Sequence, residues 1–160
     1  MTRTRTIVAA LFATLTLAGC ANVGTSQSII ARPLLNETTV GGPGYPIAIF
    51  GAESVGLAPR DIASNMRFPA RLMASSSFRA IDDANAPPTH AHLEIAPNGE
   101  RADSTLTFLH GDRRIGVGTF SLPRAAYADP QALGGTTAVL IDRMLREARA
   151  RTRGRGRWDF

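Results

Sequence analysis

The chain has 160 residues, of which 44% are hydrophobic and 19% charged, so it holds one domain with a modest core and is excluded from wholesale disorder. The formal charge is +5, and all 18 basic residues are Arg. A single Cys excludes an intrachain disulfide framework and any zinc site built from several cysteines.

Arg3 and Arg5 form a positive start, and Ile7 to Ala18 is apolar apart from Thr14 and Thr16. This run of about twelve residues is too short to span a bilayer, which takes roughly 20, and it suits the apolar region of a signal peptide. It ends in Leu17, Ala18, Gly19 and Cys20. This ending resembles the lipobox of bacterial membrane lipoproteins. The resemblance implies cleavage between Gly19 and Cys20 and a diacylglyceryl thioether on Cys20. It also implies no remaining thiol and no transmembrane helix in the mature chain. By the same analogy, Ala21 and Asn22 after the Cys, with no Asp there, imply the outer membrane, facing the periplasm. The expected organisation is a signal peptide over 1–19, a lipidated N-terminus and flexible tether over 20–44, an α+β periplasmic domain over 45–152 and a basic tail over 153–160.

Ala21 to Ser28 is small and polar and reads as tether. Ile29 to Leu35, broken by Pro33, reads as an edge strand, and Gly41 to Gly44 as a chain breaker. Tyr45 to Phe50 predicts a buried strand. Pro59 opens a short helix carrying Ile62, Ala63 and Met66 on one side, with Pro69 as its stop. Phe78 to Ile81 predicts a short strand. From Thr89 to Ile95, Ala91, Leu93 and Ile95 alternate with His90, His92 and Glu94, which predicts a half-buried strand.

Pro97, Asn98 and Gly99 signal a hairpin, and the polar stretch to Asp103 predicts a loop of more than two residues. Ser104 to Leu109 and Arg114 to Leu122 predict two further strands. A change of phase in the second, from Ile115 and Val117 to Phe120 and Leu122, predicts a bulge near Gly118. Asp129 and Pro130 start a long helix, weakened at Gly134 and Gly135, with the stripe Leu140, Ile141, Met144, Leu145 and Ala148 and a stop at Gly154. The fold class expected is therefore α+β: a single small domain whose antiparallel sheet of about four to five strands carries both helices on one face.

Candidate chemistry is sparse. His90 and His92 share one strand face, the spacing of zinc ligands on a sheet, with His110 as the third histidine. Alternation sets His110 out of phase with the pair, so His90 and His92 read as a solvated face on which Glu94 is a further neighbour. No metal and no cofactor are expected, with His90 and His92 as the weak candidates. Ser54 between Gly51 and Gly56 has the wrong spacing for a hydrolase elbow, and Pro43 spoils a phosphate loop at Gly41 to Gly44. Glu53, Asp82 and Asp83 read as loop solvation, and no catalytic residues are assigned.

Arg143 to Arg157 holds seven arginines, including Arg151, Arg153, Arg155 and Arg157. Export removes nucleic acid as a partner and leaves anionic headgroups or acidic protein surfaces, with mobility expected beyond about Thr152. Trp158 and Phe160 near the end would dock on the sheet or in a partner's groove. The function expected is a lipid-anchored, non-catalytic accessory or interaction domain of an envelope assembly or transport system, with a membrane contact and an envelope protein partner. The alternatives are a small-ligand or lipid-binding module holding its ligand between sheet and helices and, behind it, a metal-dependent enzyme.

Overall fold

A computed structural model describes residues 22–27, 44–69 and 77–155. Six strands follow in chain order: β1 (Asn22–Gln27), β2 (Tyr45–Phe50), β3 (Phe78–Ala80), β4 (Thr89–Asn98), β5 (Arg101–His110) and β6 (Arg113–Pro123). Helix α1 (Pro59–Asn65) lies between β2 and β3, and helix α2 (Pro130–Arg155) follows β6. The class is α+β. The strands form one sheet in the order β1-β6-β5-β4-β2-β3.

The sheet is mixed where a purely antiparallel one was expected. Strands β4, β5 and β6 form an antiparallel meander, and β1 is antiparallel to β6. Strand β2 instead runs parallel to both β3 and β4. The cause is the connection. Parallel neighbours need a long crossover, and the chain between β2 and β3 supplies one through α1. A second difference concerns the tether, because Asn22–Gln27 pairs with β6 from Asn22 opposite Ser121 to Gln27 opposite Val117. A strand can join an edge through its backbone alone, so small polar side chains give no warning of it. The edge strand expected at Ile29 to Leu35 lies outside the described residues.

The hairpins are tight. Asn98 pairs with Arg101, so the first turn is two residues long and both strands run further than the hydrophobic pattern suggests. Asn98 Nδ2 donates to Asp103 Oδ2 at 2.8 Å, which ties the polar ends together. Gly99 takes φ +58°, the left-handed conformation that such a turn demands. The bulge in β6 sits at Ile115 and not at Gly118: Phe108 faces Gly116, and Leu109 faces Arg114. Ile115 is thus the extra residue, and it shifts Gly118, Phe120 and Leu122 onto the core side.

The core lies between the sheet and both helices. Ala91, Leu93 and Ile95 meet Leu106 and Phe108 from β5 and Phe120 and Leu122 from β6, all buried. The predicted stripe of α2 covers them, with Leu140, Ile141, Met144 and Leu145 buried and Ala148 partly so. Each fully buried Leu, Ile, Phe or Met among them contributes about 1.5–3 kcal/mol by leaving water. Gly118 leaves room for α2: a Cβ there would stand 2.7 Å from both Leu140 Cδ1 and Met144 Sδ. At the β2 side, Phe68 stacks on Phe78 at 4.5 Å, and Tyr45 meets both edge-on.

Helix α1 starts at Pro59 and buries Ile62 and Ala63, but it stops at Asn65, ahead of Pro69. Met66 is already extended and gives its side chain to the core. Asp129 Oδ1 accepts from Gln131 N at 3.0 Å, the expected cap of α2. The helix runs on through Gly154 to Arg155. One glycine so near a helix end costs about 1 kcal/mol, too little to stop it.

Candidate functional site

Both helices lie on one side of the sheet. The other side carries exposed Glu94, Asp103 and Thr119, half-buried Thr105, Thr107 and Val117, and Phe50, which is 41% exposed. Glu94 and Asp103 line one shallow depression of about 320 Å³ with Thr105 and Thr119. Hydrogen bonds from Asn98 and Ser121 hold the Asp103 carboxyl below its usual range, and Arg101 adds to this.

A second depression, about 390 Å³, lies at the start of β4 and is lined by Asp83, Pro87, His90, His92 and Asp112, among others. Here the segment between β3 and β4 folds over the strand. Asp82 caps a single 3-10 turn, Asp83–Asn85, through its contact with Ala84 N at 3.3 Å. Pro87 and Pro88 then stiffen the approach to Thr89. The turn sets Asp83 beside the strand histidines, with Asp83 Oδ1 2.7 Å from His92 Nε2. His92 Nε2 is in turn 3.1 Å from His90 Nε2. The far nitrogen of His90, Nδ1, donates to the Pro87 carbonyl at 2.7 Å. The His92 and Phe50 rings meet in a T-shaped contact, 5.3 Å between centroids.

This geometry corrects the expectation of a solvated face. His90 is only 9% exposed, because the 82–88 segment covers it, and His92 is half-buried. It also corrects the reading of Asp83 as loop solvation. Asp83, His90 and His92 bring one ligand atom each to within 4.8 Å of one another, a set of donors able to hold a metal ion. The sequence offered one signal for Asp83: a capped acidic turn and two prolines a few residues ahead of the His pair. His110 stands apart, as alternation indicated, with Nδ1 2.7 Å from Thr89 Oγ1. Glu94 lies further along β4, in the other depression.

The remaining candidates have local roles. Ser54 Oγ donates to Gly51 O at 2.6 Å within the turn Ala52–Val55, where exposed Glu53 also sits. Gly51 takes φ +75° with its backbone hard against Ile95 O, where a Cβ would stand at 2.3 Å. Gly44 lies against Ser77, while Gly41 to Pro43 fall outside the described residues. Arg151 is exposed near the end of α2. Cys20 and the segment beyond Arg155, with Arg157, Trp158 and Phe160, lie outside the described residues, as do the side chains of Arg153 and Arg155. No described helix is long and apolar enough to cross a membrane.

No family model, no curated protein and no solved structure matches the chain. The described residues define a small α+β domain with helices on one face of a six-stranded mixed sheet. Its open face is polar, with a His-His-Asp corner at one end.

Proposed function

We propose that the chain is a lipid-anchored cell-envelope protein whose α+β domain is a non-catalytic accessory or interaction domain, held at the outer membrane and facing the periplasm. The observation that carries this reading is the register of its first 20 residues: Arg3 and Arg5, the apolar run, two small residues and then Cys20. Two or three acyl chains on one N-terminus anchor a protein durably, because each buried CH₂ contributes about 0.8 kcal/mol.

Two structural features support it. Asn22 opens β1 two residues beyond Cys20, so acylation there brings the β1 edge within roughly 7 Å of the bilayer surface. The polar sheet face opposite the two described helices is then available to a partner. The layer between sheet and helices is filled by Phe108, Phe120, Leu140 and Met144, which favours the interaction reading over a ligand held there. Arg151, Arg153, Arg155 and Arg157 fit contact with anionic headgroups near the anchor.

Metabolic labelling with a clickable fatty acid tests the anchor. Label is expected on the wild type and absent from Cys20→Ser, which accumulates as unprocessed precursor. Undiminished label on the variant overturns the assignment. Crosslinking from intact membranes then identifies the partner of the sheet face.

A further inference from the structure

The corner at the start of β4 poses a problem of hydrogen counting. The Pro87 carbonyl is only an acceptor, so the 2.7 Å contact places a hydrogen on His90 Nδ1. In the neutral ring, Nε2 of His90 then carries a lone pair, and that lone pair faces His92 Nε2 at 3.1 Å. The Asp83 carboxylate faces the same His92 nitrogen at 2.7 Å. His92 Nε2 holds at most one hydrogen, for one of these two acceptors. The other acceptor is left with its lone pair facing a nitrogen that has no hydrogen to give it.

A cation removes the conflict. We propose that Asp83 Oδ1, His90 Nε2 and His92 Nε2 bind one divalent transition-metal ion of the zinc class, with the remaining coordination open to water or an external ligand. Imidazole nitrogens with one carboxylate suit zinc, whereas magnesium and calcium take oxygen donors. Donors around a tetrahedral zinc stand about 3.4 Å apart, and the three atoms here already lie within 4.8 Å of one another. The arrangement is also built to receive an ion. The His90–Pro87 bond fixes the tautomer whose Nε2 lone pair points inward, the usual outer contact of a metal-binding histidine. The Asp82-capped turn and the two prolines hold Asp83 in place. The open depression over the corner gives an ion its entry path.

The test uses the full chain purified in detergent, stripped with a chelator and desalted, with zinc chloride alone as the probe. Mass spectrometry of the metal and competition with a zinc-binding dye read stoichiometry and affinity. About one zinc per chain is expected for the wild type and for His110→Ala, with binding weakened about tenfold or more in Asp83→Ala and His92→Ala. Both substituted side chains are partly exposed, so the core is spared. Should either variant unfold by circular dichroism, imidazole nitrogen resonances of the wild type decide: zinc must move those of His90 and His92 and leave His110 unmoved. Wild type that binds no zinc, variants that bind as wild type, equal loss in His110→Ala, or resonances that stay fixed would each overturn the proposal.

Discussion

Gly134 in α2 lies directly against the backbone carbonyl of Asn65 at the end of α1: a Cβ at 134 would stand 2.6 Å from that oxygen. A Cβ at its neighbour Gly135 would meet nothing within 4 Å. The pair therefore separates two effects that coincide in the sequence. Alanine at either position gains helix propensity, worth about 0.5–1 kcal/mol. At 134 it must also push two helices apart, which costs about 1–3 kcal/mol. Thermal melts should show Gly135→Ala stabilised and Gly134→Ala destabilised. Equal shifts would mean that the close approach of the helices carries no energetic weight.

Thr137, fully buried one turn later, ties α2 by a hydrogen bond to the chain just after α1. Its Oγ1 accepts from Arg67 N at 3.1 Å and lies 3.0 Å from Leu133 O. Thr137→Val keeps the shape and strands the Arg67 N–H without its partner. The expected loss is about 1–3 kcal/mol in a denaturant titration, the cost of one buried unsatisfied donor. Thr137→Ser keeps the hydroxyl and should lose less. A neutral valine variant would show that water replaces the threonine there.

Tyr127 gives the domain an alkaline limit. Burial pushes its hydroxyl pKa above the ordinary 10.0, the hydrogen bond with Ser104 opposes this, and the charge of Asp103 adds a little to the rise. The folded state thus holds the proton more tightly than the unfolded chain. This contribution is complete below pH 10.0 and is lost as pH rises from there through the raised folded value. Tyr127→Phe is expected to cost about 1 kcal/mol at neutral pH, through the Ser104 partner it abandons. The gap to wild type should shrink above pH 10. Parallel stability curves across that range would refute the assignment.

The arginines from Arg151 to Arg157 should act through charge. A soluble form beginning at Ala21 is expected to associate with anionic vesicles, each Arg near the surface contributing roughly 1 kcal/mol. Association should fall steeply with salt. Replacing Arg151, Arg153, Arg155 and Arg157 by Gln should remove it and leave the melting temperature within a few degrees. Vesicle binding that ignores salt or survives the replacement would exclude this role.

Alternation along β4, the Asp129 cap and the apolar stripe of α2 were readable because each depends on neighbours a few residues away. The α+β class followed from the order of such segments. The solvated reading of His90 failed for the opposite reason. Whether a strand face meets water depends on what folds over it, and here a segment outside the strand does so. The hairpin loop is shorter than the polar stretch suggests because Asn98 and Arg101 pair through their backbones and carry no apolar signal.

Hydrophobic period and capping chemistry act within a turn or a strand, so the local elements and the faces they bury are legible from neighbouring residues. The remaining features come from long-range packing. It laid β2 parallel to β4, because a crossover through α1 sets strand direction and no residue of β2 encodes it. It added β1 to the free edge of β6 through backbone hydrogen bonds open to almost any side chain. It set Asp83 against His92, because a carboxylate in a loop acquires a partner only when the loop has a place to fold.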